Sequence, residues 1–288
     1  MKINAMPVGK KFTVKVMGII NTSPESFYKG SVKTGEQEIA MTARQMQEDG
    51  AHIIDIGGMS TAPYVQTVLV PIEEEIRRIT GAIKVVKGVC DLPISADTPR
   101  AAVAKEAIAA GADAVNDVTG LKYDSKMADV AAKAGVSMII GAYSKVPATG
   151  RTAGTLKALK KSISLASEAG IKDVTIDPSI GFFRQEGKNP FFTKMTDMPW
   201  YVRDIEILSN LHKLATLKKP ICISVSRKSF IGYLLNLNAA EDRLIPSIIC
   251  EIIAALKGAN MIRTHNVRET VQAVTMLQLL RTYAGKRL

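Results

Sequence analysis

The sequence lacks most of what would mark a secreted, membrane-spanning or nucleic-acid-binding protein. Cysteine is scarce: Cys90, Cys222 and Cys250 are odd in number and far apart. That supplies neither a disulfide framework nor a zinc-ligand spacing, and buried free thiols are expected. No apolar run approaches the roughly 18 residues of a membrane span. The stretch Met1 to Lys11 has no apolar signal core, so a cytoplasmic protein is expected. Aromatic residues make up only 5% of the chain. No basic run interleaves with them, and zinc or helix-turn-helix spacing is missing, which argues against nucleic-acid binding. No low-complexity linker interrupts the 288 residues, so one domain over 1–288 is expected.

What the chain does have is positive charge and punctuation. Its 38 basic and 27 acidic residues leave a formal net charge of +11, which suits anionic ligands such as phosphate esters. Short apolar runs read as strands at Lys15–Asn21, Ala51–Ile56, Pro93–Asp97, Ala114–Asp117, Ser137–Gly141, Val174–Asp177, around Ile221, and at Met261–Thr264. Helical spacing fills the intervals, for example at Glu36–Asp49, Ile72–Lys87, Leu156–Ala169, Arg243–Leu256 and Val267–Tyr283. Thr98 and Pro99 look like a helix start, a hydroxyl cap followed by proline. Five helices end in glycine with a strand directly behind, at Gly50, Gly111, Gly135, Gly170 and Gly258. Glycine takes the left-handed C-cap and lets the chain reverse into a parallel strand. Eight strands alternating with helices predict an α/β fold, a (β/α)8 barrel, with an open doubly wound sheet as the structural alternative.

A barrel of this kind delivers every strand's C-terminal end to one mouth. The residues so delivered are polar: Asn21, Asp55 with Gly57-Gly58, Asp97, Asn116-Asp117, Asp177, Ser226-Arg227-Lys228, and Arg263 with His265. The seventh is the most pointed, because the apolar Ile221–Val225 turns abruptly into Ser226-Arg227-Lys228 and becomes apolar again at Phe230-Ile231. Cations at the tip of a buried strand require anionic or lone-pair-rich partners, the alternative for this stretch alone being a solvated basic loop. Asp97 and Asp177 taken singly could equally be helix N-caps, and His265 a packed or capping histidine.

Together these motifs resemble those of dihydropteroate synthase. The match begins with Met17-Gly18-Ile19-Ile20-Asn21-Thr22-Ser23-Pro24-Glu25-Ser26-Phe27. It continues through Asp55-Ile56-Gly57-Gly58 with Ser60-Thr61, Ser95-Ala96-Asp97-Thr98, Asn116-Asp117-Val118, and Asp177-Pro178 with Gly181-Phe182. It closes with Ser226-Arg227-Lys228-Ser229-Phe230 and Arg263-Thr264-His265. The resemblance implies a transferase that joins 6-hydroxymethyl-7,8-dihydropterin diphosphate to an aryl amine, p-aminobenzoate or an analogue, with release of pyrophosphate in folate biosynthesis. It implies Lys228, Asp97 and Arg263 as catalytic residues, and Asp177, Asn116 and Asp97 reading the pterin edges with Lys228 opposite. Thr61, Phe182, Ser226 and Arg227 would join the substrate site, Arg263 and His265 would hold the diphosphate, and Asn21 would help hold Mg²⁺. A homodimer through the last helices is implied as well. His52 and His212 fall outside these motifs and read as structural; Tyr28 and Lys29 read equally as a first loop that closes over substrate or as a solvated loop.

The departures from the family pattern gather on the amine and anion side. Ser60-Thr61-Ala62-Pro63-Tyr64 stands where the family has Ser-Thr-Arg-Pro-Gly, and Gly141-Ala142-Tyr143 where a methionine-histidine pair is expected. Gly181-Phe182-Phe183-Arg184 replaces Gly-Phe-Gly-Lys, Glu25 replaces an aspartate, and Asn266 another. Three readings follow: a divergent synthase with p-aminobenzoate or another amine such as a ribosylated aniline; a methyltetrahydropterin–corrinoid protein methyltransferase; and a pterin-binding relative without turnover. The anion apparatus at Ser226-Arg227-Lys228 and Arg263-His265 places the synthase first.

Overall fold

The computed structural model describes residues 2–4, 6–9, 13–24, 26, 28, 30, 32–64 and 70–283. Eight parallel strands form its centre: β1 Lys15–Asn21, β2 Ile53–Gly57, β3 Ile94–Asp97, β4 Ala114–Asp117, β5 Ser137–Gly141, β6 Val174–Asp177, β7 Cys222–Ile223 and β8 Met261–Thr264. Their order is β7-β8-β1-β2-β3-β4-β5-β6. A parallel bridge between Ile176 and Ile221 joins β6 to β7 and closes the ring. The barrel read from the strand–helix alternation is therefore the fold, and the open sheet is not.

Helices α1 Glu36–Glu48, α2 Ile72–Lys87, α3 Ala101–Ala109, α4 Met127–Ala134, α5 Thr152–Glu168, α6 Trp200–Ser209, α7 Ser229–Leu235, α8 Leu244–Leu256 and α9 Val267–Tyr283 lie between and after the strands. The five helix-ending glycines all have positive φ, from 68° at Gly135 to 111° at Gly111. One helix start differs from expectation. Thr98 and Pro99 do not begin α3, which opens at Ala101 after Arg100 with no side-chain cap. Thr98 instead accepts from the Arg100 N–H and donates to buried Glu75 at 2.6 Å, so its hydroxyl is spent on the neighbouring helix. Three short features escaped the periodicity: a hairpin pairing Lys2–Ile3 with Met6–Pro7, a parallel pair of Phe183–Arg184 with Thr193–Lys194, and α7 itself. Two-residue strands and a seven-residue helix are too short to show a period.

Two apolar layers position the site. Outward-facing strand residues such as Ile54, Ile56, Ile140 and Ile176 pack under the helices. Inside, Met17, Ile53, Ala114, Ile139, Cys222 and Met261 fill the lower barrel, and Ile3 and Val8 of the N-terminal segment seal it from below. Polar residues take over above this plug, at the strands' C-terminal ends. Cys90 and Cys222 are buried thiols as expected, and Cys250 is partly buried.

At the end of β5 the Val118 carbonyl crosses so closely that a Cβ on Gly141 would overlap it. Gly141→Ala is expected to destabilise the protein by about 1–3 kcal/mol in denaturant unfolding, because backbone cannot move aside as a side chain can. An unchanged midpoint would mean that the strand end is not packed this tightly.

Candidate active site

A charged cluster sits directly on the apolar plug. Arg263, on β8, donates from Nε to Asp55 Oδ2 and from Nη2 to Asp97 Oδ2, each at 2.6 Å. Asn116 donates from Nδ2 to the same Asp55 oxygen at 3.0 Å. Asp55 is fully buried, whereas Arg263 and Asp97 keep 14% and 18% of their side chains exposed to the cleft above. Inward-facing positions alternate along each strand, so a one-residue slip would turn these groups into the helical layer. Burial pushes the Asp97 carboxyl up to about 7, against the pull of Arg263 and with the push of Asp55. Burial lowers the affinity of Arg263 for its proton, but the two carboxylates outweigh it and the guanidinium is held charged.

Asp177 and Lys228 form the other wall. Burial raises the Asp177 carboxyl above its ordinary value, while the Ser179 N–H, donating to Oδ1 at 2.6 Å, opposes the rise. Lys228 is brought down to about 8, chiefly by burial and then by Arg263. Its ammonium lies 4.6 Å from the centre of the Phe182 ring. The loop between Asp177 and Phe182 is shaped from α6: Arg203 donates to the Pro178 and Ser179 carbonyls at 2.7 and 2.9 Å, and Asp204 accepts from the Gly181 N–H at 2.9 Å. Both are essentially inaccessible to solvent. Neither Asp97 nor Asp177 caps a helix, which removes the capping alternative for both.

Ser226 and His265 complete the rim. The His265 N–H donates to Ser226 Oγ at 3.2 Å, and Nδ1 lies 3.2 Å from the same oxygen. Burial, with the nearby Arg263, Arg227 and Lys228 cations, holds this imidazole well below its usual range and therefore neutral. Asn21 lies across the cleft with its amide nitrogen 3.3 Å from Ser26 Oγ.

The cleft encloses about 880 Å³, part of it open to solvent. Asn21, Thr61, Asp97, Asn116, Asp177, Phe182, Ser226, Lys228, Arg263 and His265 all line it. Arg227 does not. It adopts a left-handed conformation at φ 55°, and its guanidinium turns away to Asn266 Oδ1 and to the Ala240 and Glu241 carbonyls. It also lies 4.6 Å from the centre of the Tyr28 ring. Glu25, Phe27 and Lys29 of the first loop lie outside the described residues. Sequence reasoning placed Asp55 at the mouth but did not assign it a role, although an acid inside Ile53-Ile54-Asp55-Ile56 was a legible signal: a carboxylate in an apolar strand needs a partner. It also missed Arg203 and Asp204, which sit in a helix far from any motif. His52 accepts from the Val16 N–H at 3.2 Å away from the cleft, in keeping with a structural role.

The pterin binding enzyme family matches residues 17–265. The chain belongs to that family. It is 36% identical to a dihydropteroate synthase of Clostridium beijerinckii over 92% of this chain and 93% of the relative. It is 32% identical to that of Bacillus subtilis over 94% and 90%. Among solved structures, the dihydropteroate synthase of Xanthomonas albilineans with 4-aminobenzoic acid superposes with a TM-score of 0.80, at 31% identity and 93% coverage of each chain. The resemblance read from the motifs is borne out, and with it a transferase of the dihydropteroate synthase type.

Asp55 is the shared acceptor beneath Arg263 and Asn116. Asp55→Ala is expected to destabilise the fold by about 3–5 kcal/mol, the usual effect of stranding one member of a buried ion pair. Chemical denaturation checks this; a loss under about 1 kcal/mol would show that Asp97 alone suffices for Arg263.

Proposed function

We propose that this chain condenses 6-hydroxymethyl-7,8-dihydropterin diphosphate with an aryl amine, p-aminobenzoate in the first instance, and releases pyrophosphate. The observation that carries the reading is the meeting of acidic and cationic groups in one cleft. Asp97 and Asn116 line one side and Asp177 with Lys228 the other, over a base held by Arg263 and Asp55. A flat pterin with a guanidine-like edge needs acceptors and donors fixed in one plane, and charge-assisted contacts of this kind are about twice as strong as neutral ones. Asp177 and Asp97 would accept from the pterin's N–H groups, and Lys228 would donate on the opposite side of the ring.

Breaking the carbon–oxygen bond at the pterin methylene leaves positive charge on the pterin and negative charge on the diphosphate. The carboxylates stabilise the first and Lys228, Arg263 and Ser226 the second, so catalysis is positioning and electrostatics with no covalent enzyme intermediate. Arg263 reaches an anion through Nη1, because Nε and Nη2 are engaged by the two aspartates. His265 takes part as a neutral donor at the phosphate end. The amine would enter past Phe182 and the second loop, where Tyr64 lines the cleft and Ala62 stands in the place of the family's arginine. The 4-aminobenzoic acid in the Xanthomonas structure supports this choice of amine over a corrinoid partner.

Magnesium fits as a substrate-borne ion. Asn21 offers one amide oxygen at the cleft, and among the described residues no group of three or more His, Cys, Asp or Glu side chains could hold a metal. Mg²⁺ keeps several waters, takes few protein ligands and binds largely through phosphate oxygens, and bound there it would neutralise the leaving diphosphate. Self-association through the last helices is supported by exposed apolar side chains on α7, α8 and α9, among them Leu235, Ile245, Ile249, Met276 and Leu280. Residues 1–288 are proposed to act as one domain. A cytoplasmic setting is in keeping with the absence, among the described residues, of any helix long and apolar enough to cross a membrane.

Pyrophosphate release from the dihydropterin diphosphate with Mg²⁺ should depend on p-aminobenzoate; pterin binding without amine-dependent release would discard this amine. Asp177→Asn should weaken pterin binding at least about tenfold in calorimetry, the effect of losing a charge-assisted contact; unchanged affinity would remove Asp177 from the pterin site. The pH dependence follows from Asp97. Its carboxyl ionises near 7 in the native protein against an ordinary 3.8. Between these values the native state binds the extra proton, so this group's stabilisation declines as pH rises. Pterin binding runs the other way, since the carboxylate that makes a charge-assisted contact predominates only above about 7. Affinity is expected to fall roughly tenfold per pH unit below that value and to flatten in Asp97→Asn. A flat wild-type profile would exclude Asp97 from the contact.

A further inference from the structure

From His265 a line of buried hydroxyls leads to an acid that the proposed chemistry does not use. Ser226 Oγ lies 3.2 Å from His265 Nδ1 and 3.4 Å from Thr264 Oγ1. Thr264 Oγ1 lies 3.1 Å from Thr270 Oγ1, which lies 2.7 Å from Glu251 Oε2 on α8. Ser226, Thr264, Thr270 and Glu251 are each at most 1% exposed. The line begins at the cleft and ends in the packing between α8 and α9.

Each hydroxyl carries one hydrogen, and this makes the line directional. The backbone N–H groups of His265 and Asn266 occupy one acceptor position on Ser226 and one on Thr264. The remaining bonds must then all point one way or all point the other. We propose that Glu251 is a positioning residue that sets the tautomer of His265 through Thr270, Thr264 and Ser226. With Glu251 ionised, Thr270 donates to it, Thr264 donates to Thr270, Ser226 donates to Thr264, and His265 Nδ1–H donates to Ser226. Nε2 then carries a lone pair. When Glu251 gains a proton from solvent, the order reverses. The carboxyl donates to Thr270, each hydroxyl rotates, Ser226 donates to Nδ1, and the ring's single hydrogen moves by solvent exchange to Nε2. One proton enters at Glu251, and the ring keeps one hydrogen throughout.

Both states are accessible. Burial pushes Glu251 up to about 7, opposed by the Thr270 and Thr264 hydroxyls and the Arg227 cation and assisted by Glu269. Cys250 beside it stays a thiol, raised to about 11 by burial and by Glu251. His265 is neutral across this range, so the change concerns its tautomer and not its charge. An Nε2–H donates to a phosphate oxygen, whereas an Nε2 lone pair repels one. This last consequence rests on the proposed phosphate role of His265; the relay itself does not.

The chain has three histidines, so ¹⁵N-histidine NMR can follow each ring. In the intact wild-type protein, His265 is expected to pass from the Nδ1–H form at about pH 8.5 to the Nε2–H form at about pH 5.5, spanning the Glu251 titration. Glu251→Gln, which cannot ionise, should hold one tautomer throughout. Thr264→Val, which interrupts the line with a side chain of the same shape, should uncouple His265 from pH. One wild-type tautomer at both pH values, or a switch persisting in either variant, overturns the proposal, and the wild-type titration decides even if a variant fails to fold. Pyrophosphate affinity relative to Thr264→Val, compared at each pH so that ionisation of pyrophosphate cancels, should tighten about tenfold on acidification. A switching tautomer with a constant affinity ratio would uphold the relay and refute the phosphate role of His265.

Discussion

The guanidinium of Arg263, clamped between Asp55 and Asp97, is the interaction on which the site depends. It reaches across the barrel, for β8 hydrogen-bonds to β7 and β1 while the aspartates sit on β2 and β3. The clamp therefore ties β8 to two strands with which it does not pair, and it works only in one register. Ion pairs taken out of water are poor stabilisers overall, since desolvation offsets most of the attraction. This cluster is better understood as specification. Two carboxylates share one guanidinium, and Asp97, raised chiefly by burial and further by Asp55, would be relieved by a cationic or guanidine-like ligand edge.

The apolar plug below makes that sharing matter. Met17, Ile53, Ile139 and Met261 exclude water from the underside of the cluster, so the charges see a low dielectric on one face and the cleft on the other. The same chain segments supply both layers: Ile53 belongs to the plug, and Asp55, two residues on and on the same face, belongs to the cluster. Function occupies the last inward position of each strand because the earlier inward positions are needed to close the core.

This period-two logic explains what was legible in the sequence. Strands such as Ala114–Asp117 and Met261–Thr264 were bounded by residue type alone, since apolar runs end where the interior turns polar, and glycine marks the helix end behind most of them. The polar strand ends gave the cleft almost entirely. What escaped depended on three-dimensional neighbours. Arg227 reads like Lys228 in sequence, but a left-handed backbone sends it to Asn266 and away from the cleft. Arg203, Asp204 and Glu251 lie in helices whose amphipathic pattern predicts only a buried or exposed face, and a buried charge there has no signature until its partner is known. Thr98 could serve either α3 or Glu75, and only packing against α2 decides.

The cations around the cleft are held in two ways, and the difference bears on anion binding. Arg263 is paired with carboxylates, so most of its field is spent inside the cluster. Arg227 is held by neutral acceptors, two carbonyls and the Asn266 amide, with the Tyr28 ring against it. Its guanidinium is thus fixed in place with no carboxylate bonded to it, and after burial and Arg263 it helps keep the His265 ring neutral. An aspartate at 266, as in the family pattern, would neutralise it. With asparagine there, Arg227 and Lys228 together leave positive potential at the rim where a diphosphate would lie, although Arg227 itself touches nothing in the cleft. The family's second-loop arginine would serve the diphosphate or the amine's acid group; on the first of these readings, its loss at Ala62 and the loss of the acid at Asn266 act in opposite directions on one anion. On the proposed reading, the two departures from the family pattern partly compensate for each other at the diphosphate.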